Sequence, residues 1–134
     1  MFADRVDGGR RLAQRLGHLR TEQPLVLGLP RGGVPVAAEV AGALGAPLDV
    51  LVVRKLGCPW QPELGLGAVG EDGVTIHNQE LIGQAGVEPD ELEAVARRER
   101  AELERRLRRY RGDRPPQPVA GRTVILVDDG VATG

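Results

Sequence analysis

Two adjacent carboxylates, Asp128 and Asp129, end the apolar run Thr123-Val124-Ile125-Leu126-Val127 and lead into Gly130-Val131-Ala132-Thr133-Gly134. Small residues in such a stretch leave backbone N–H groups free to wrap a phosphate, and the Thr133 hydroxyl adds a donor. Carboxylates beside a phosphate repel it unless they serve another group. They suit sugar hydroxyls, as hydrogen-bond acceptors, or a magnesium ion reached through water. A second glycine-containing loop, Leu29-Pro30-Arg31-Gly32-Gly33, follows an apolar run. Taken alone it serves equally as an ordinary strand-to-helix connection. A basic pair, Arg54-Lys55, closes another apolar run, where a solvated role competes evenly with anion binding.

Other chemistries find little support. His18 and His77 stand alone, without the spacing of a metal site. No nucleophile is arranged with a base for covalent catalysis. Cys58 and Trp60 have no partner that would make them catalytic, and packing is the expected role for both.

The elements that must position these residues alternate between strand and helix. Asp4 to Leu19 places Val6, Leu12, Ala13, Leu16 and Leu19 near helical spacing, with Asp4 as N-cap. Leu25 to Leu29 is a continuous apolar run, as in a strand of a parallel sheet buried on both faces. After the Arg31 loop, Pro35 begins a helix whose apolar face is Val36, Ala37, Val40, Ala41 and Leu44, ended by Gly45 and Pro47. Val50 to Val53 is predicted as the next strand, reached by a right-handed parallel crossover and ending in Arg54-Lys55. Gly57 to Gly73 is rich in Gly and Pro, and Leu66–Val69 with Val74–Ile76 is predicted as a small hairpin. Glu88 to Arg111 is the clearest helix, with Leu92, Val95, Ala96, Leu103, Leu107 and Tyr110 on one face. Acids gather at its start and bases at its end, matching the helix dipole. Its arginines are expected to be solvated and paired with Glu99, Glu102 and Glu104. Thr123 to Val127 is predicted as a third buried strand. The carboxylates then fall at a strand's C-terminal end, where open α/β sheets bind ligands.

Val124 to Gly134 resembles the phosphoribosyl pyrophosphate signature of type I phosphoribosyltransferases. The resemblance implies an α/β fold, a parallel sheet with flanking helices plus a small β-hairpin flap at about residues 57–77. It makes residues 1–134 a single incomplete domain, the N-terminal portion of about two-thirds of a family domain, because the signature should continue past Gly134. It implies that Asp128 and Asp129 bind the ribose hydroxyls and form the catalytic pair. Gly130, Val131, Ala132, Thr133 and Gly134 then begin the 5-phosphate cradle. The loop at Arg31 would bind pyrophosphate, with a non-proline cis peptide before Arg31 and the N–H groups of Gly32 and Gly33 aimed at the ligand. Arg54 and Lys55 would lie near the same pyrophosphate, and the flap would close over the site. The implied activity is that of a glycosyltransferase of nucleotide metabolism, passing phosphoribosyl to a nitrogen acceptor such as a nucleobase. The implied cofactor is Mg²⁺, held through substrate and water and not by direct protein ligands.

Composition limits the alternatives. Lys and Arg number 18 against 19 Asp and Glu, a net charge of -1. A general nucleic-acid binder would carry a basic excess, so nucleic acid is not an expected partner. A single cysteine excludes an intrachain disulfide and suits a reducing cytoplasm. No apolar run approaches the roughly 20 residues of a membrane span, so no membrane partner is expected. An uncovered third-strand edge would favour instability or self-association, as a homodimer. Two readings stand beside the enzyme. One is a non-catalytic regulator that keeps the phosphoribosyl pyrophosphate site; the other is an inactive fragment.

Overall fold

The computed structural model describes residues 3–130. They form two compact units, one of residues up to Leu51 together with those from Asp113 onward, the other Val52–Gly112.

The first unit is a three-stranded parallel sheet with helices against one face. Helix α1 (Arg5–Arg15) starts at Asp4, whose side chain caps it by accepting the Asp7 N–H at 2.8 Å. It is shorter than its apolar spacing predicts, since the chain tightens into a 3-10 turn over Gly17–Glu22. Strand β1 (Leu25–Gly28) is buried throughout, as an apolar run at the centre of a sheet should be. Helix α2 (Gly33–Leu44) ends at Gly45, which adopts the left-handed conformation glycine permits. All five residues predicted for its apolar face are buried. They join Ala13, Val26, Ile125 and Val127 in one core.

Strands β2 (Leu48–Val50) and β6 (Val124–Val127) pair in parallel with β1 on its two sides. Gly28 lies opposite both Val50 and Val127, so β1 and β6 end level with each other. Two expectations are corrected. The second strand stops at Val50, after a last bond from Leu51 N–H to the Gly28 carbonyl. Beyond that point β1 has turned away and offers no partner. The third strand is buried on one face only. Ile125 and Val127 face the core, whereas Val124 and Leu126 are 38% and 57% exposed.

The second unit is an antiparallel sheet of β3 (Arg54–Cys58), β4 (Gln61–Val69) and β5 (Thr75–His77), in that order. The predicted hairpin is β4 and β5; β3 is an additional strand. Helix α3 (Gln79–Ala85) is capped by Asn78. Helix α4 (Pro89–Arg111) begins with a reciprocal capping box between Glu88 and Glu91. Leu92, Val95 and Ala96 pack with Leu56, Cys58, Leu66 and Val69 in this unit's core. Cys58 is buried as predicted, but Trp60 is 56% exposed and does not pack. No helix among the described residues is long and apolar enough to cross a membrane.

Candidate active site

The loops that leave β1 and β6 run side by side in the first unit. Leu29 N–H donates to the Val127 carbonyl at 2.9 Å, carrying the strand pairing one residue into the loop. The Pro30–Arg31 peptide is cis, as the resemblance implied for the bond before Arg31. Gly32 and Gly33 then open α2. A Cβ on Gly33 would stand 2.6 Å from the Val127 carbonyl oxygen and 3.0 Å from the Asp128 Cα. A Cβ on Gly32 would collide with the Asp129 carboxylate. Gly33 is therefore required by the close approach of the two backbones, whereas Gly32 opposes only the end of a side chain that can rotate.

The two glycine donors differ in their partners. Gly33 N–H is already given to the Leu29 carbonyl at 3.0 Å, closing the first turn of α2. Gly32 N–H has no acceptor among the described residues, and neither has the Arg31 side chain. With no side-chain cap on α2, its N-terminus keeps partial positive charge toward the loop.

The carboxylates share a common arrangement. Asp128 Oδ1 accepts the Asp129 N–H at 2.8 Å. Asp129 Oδ2 accepts two bonds from Arg5, from Nη2 at 3.0 Å and from Nε at 3.3 Å. The Arg5 bonds thus fall on one Asp129 oxygen, and the Asp128 side chain and the local backbone also act on this carboxyl. Hydrogen bonding from Arg5 holds the Asp129 carboxyl below the ordinary carboxylate range, so it is ionised at neutral pH. Beside the pair lies a cavity of about 390 Å³, bordered by Arg5, Gly8, Leu12, Val36, Asp128 and Asp129. The described residues contain no cluster of three metal-ligating side chains. A cation here would have to be carried by its ligand and touched through water.

Set against known proteins, residues 4–134 match the sequence profile of the Phosphoribosyl transferase domain family. The chain belongs to the phosphoribosyl transferase family. It is 54% identical over all 134 residues to "Putative phosphoribosyl transferase Rv0571c" of Mycobacterium tuberculosis H37Rv. The same identity holds for "Putative phosphoribosyl transferase MT0597" of strain CDC 1551. The chain spans 30% of the length of each. It also resembles the crystal structure of TT1426 from Thermus thermophilus, with a TM-score of 0.82 and 48% identity. That similarity covers 96% of this chain and 61% of TT1426. The α/β architecture implied by the sequence is thereby shown.

The remaining site residues predicted for this phosphoribosyl transferase chain are placed differently from expectation. Arg54 and Lys55 do not close the second parallel strand; they open β3 of the antiparallel sheet. The reason is the early end of β2, which leaves residues 51–53 as a connection. Arg54 is committed to Glu99 through Nε at 2.9 Å and Nη2 at 3.3 Å. Lys55 has no ion partner among the described residues. Val131, Ala132, Thr133 and Gly134 lie outside the described residues, so only Gly130 of the predicted phosphate cradle is placed. In α4, Glu102 holds Arg105 and Arg106, while Glu99 turns to Arg54 and not to its own helix. Arg5 was not singled out from the sequence, yet the fold brings it to Asp129. It stands 124 residues from Asp129 in sequence, and nothing in its local spacing sets it apart from the neighbouring charges.

Proposed function

We propose that this chain binds Mg-phosphoribosyl pyrophosphate and belongs to an enzyme that transfers the phosphoribosyl group to a nitrogen acceptor. The observation that carries the reading is the pair of adjacent carboxylates, Asp128 and Asp129, at the C-terminal end of β6, beside the Arg31 loop. Two carboxyl acceptors on consecutive residues suit the two vicinal hydroxyls of a ribose. The neighbouring Arg31 loop supplies what an attached pyrophosphate needs, namely the Gly32 N–H, the Arg31 guanidinium and the α2 N-terminus. Gly130 to Gly134 would receive the 5-phosphate, and Arg54 and Lys55 remain proposed pyrophosphate ligands.

In the reaction, the acceptor nitrogen forms a bond to the anomeric carbon as the carbon–oxygen bond to pyrophosphate breaks. Pyrophosphate leaves with the bonding electrons, and the nitrogen loses a proton. Negative charge grows on the leaving group, where Arg31 and the Gly32 N–H would stabilise it. Positive character grows on the sugar, close to Asp128 and Asp129. Mg²⁺, borne by the substrate, would neutralise pyrophosphate charge.

Titration calorimetry of the purified protein with Mg²⁺ and phosphoribosyl pyrophosphate tests the ligand. Saturable binding that is weakened in Asp128→Asn and Asp129→Asn is expected; no heat from the wild type refutes the assignment. Transfer is tested separately, by release of pyrophosphate when nucleobases are supplied as acceptors.

A further inference from the structure

We infer that Arg5 is a positioning residue of the sugar site, holding Asp129 by one carboxylate oxygen so that the other faces the ligand. This rests on reading Asp128 and Asp129 as the ribose ligands. Both Arg5 donors converge on Oδ2, at 3.0 and 3.3 Å, and neither reaches Oδ1. A guanidinium placed to block the carboxylate would bridge both oxygens in the usual fork. This one places both donors on a single oxygen.

The anchor is itself well placed. Arg5 is the first residue of α1, and the Asp4 cap fixes the backbone immediately before it. Helix α1 lies close against α2 at Gly9, where a Cβ would come within 2.9 Å of the Val36 carbonyl oxygen. The side chain reaches Asp129 across the rim of the 390 Å³ cavity. There its charge offsets one of two adjacent carboxylates that must tolerate a ligand rich in phosphate. The pair is too exposed, at 60% for Arg5 and 38% for Asp129, to contribute much to folding. Its consequence should therefore appear in ligand affinity and not in the melting temperature.

The test is titration calorimetry on wild type, Arg5→Ala, Arg5→Lys, Asp129→Asn and the Arg5→Ala/Asp129→Asn double variant. The probes are Mg-phosphoribosyl pyrophosphate, ribose 5-phosphate and Mg-pyrophosphate. Arg5→Ala should weaken both sugar ligands about three- to tenfold, the scale of one hydrogen bond's net contribution. Binding of Mg-pyrophosphate should not change, and Arg5→Lys should recover part of the loss. In the Asp129→Asn background, Arg5→Ala should add little, because the two act as one unit. Unchanged or tighter sugar binding in Arg5→Ala overturns the role of Arg5 while leaving the site intact. Equal losses for pyrophosphate and sugar also overturn it, since they indicate a general disturbance. If the wild type binds none of the probes, the reading of the site fails, and the role of Arg5 with it.

Discussion

The Asp129 carboxylate occupies the space in front of the Gly32 Cα, so the loop after β1 and the loop after β6 meet without room for a side chain. Gly32 and Gly33 share this interface but face different obstacles. Gly32 opposes the end of a side chain that can rotate, whereas Gly33 opposes the Val127 backbone at 2.6 Å.

Gly32→Ala and Gly33→Ala should therefore separate. In Gly32→Ala the Asp129 carboxylate swings aside, so the protein keeps its melting temperature while sugar-ligand affinity falls. In Gly33→Ala the backbone itself must shift, and stability should fall by about 1–3 kcal/mol, the usual cost of overpacking. Thermal melts beside calorimetric titrations distinguish the two outcomes.

A second expectation concerns pH. Asp129 is faced by Arg5 from α1 and by its neighbour Asp128, and hydrogen bonding from Arg5 is the largest influence lowering its carboxyl pKa. A folded-state value below the unfolded one makes the ion pair favourable above the unfolded value, and that contribution is lost as pH falls through the folded value. In Arg5→Ala the Asp129 carboxyl should titrate at higher pH than in the wild type. Carboxyl carbon NMR across an acid titration reads this directly; identical midpoints would show that Arg5 does not set the ionisation in solution.

A third concerns the second unit, where Arg111 at the end of α4 meets Glu71. Nη1 and Oε1 are 2.8 Å apart, and the side chains are only 9% and 15% exposed. Glu71 Oε2 also lies 3.4 Å from the Val52 N–H. A charge this enclosed is costly once its partner is removed. Arg111→Ala should lower stability by about 3 kcal/mol, and Glu71→Leu with Arg111→Met should lower it less. Chemical denaturation of the two variants is the measurement.

Local chemistry made much of this fold readable in advance. Asp4, Gly45 and Glu88 marked helix ends because capping is decided within a few residues. The faces of α2 and α4 followed from helical periodicity. What escaped was set by partners distant in sequence. Val50 to Val53 has a strand's composition, but β2 ends where β1 turns into its loop, and that stop belongs to β1. Arg54-Lys55 consequently moved to another sheet. In the site, Asp128 and Asp129 were legible from the motif that surrounds them. Arg5 was not, because only the fold brings it to Asp129.

The glycines of β4 give the last prediction, a matched pair within one strand. Gly67 lies opposite His77 of β5, and a Cβ there would collide with the Ile76 carbonyl oxygen. Gly65, two residues earlier and beyond a register shift in the β3–β4 pairing, would meet nothing nearer than the Lys55 Cδ at 3.5 Å, an ordinary contact. Gly67→Ala must push β5 away or twist the ladder, and should lower stability by about 1–3 kcal/mol. Gly65→Ala removes unfolded-chain freedom without a clash and should be neutral, or stabilising by up to about 1 kcal/mol. Hydrogen exchange at the β4–β5 amides localises the effect. Faster exchange is expected in Gly67→Ala alone, and equal exchange in both variants would contradict the strand packing described for this unit.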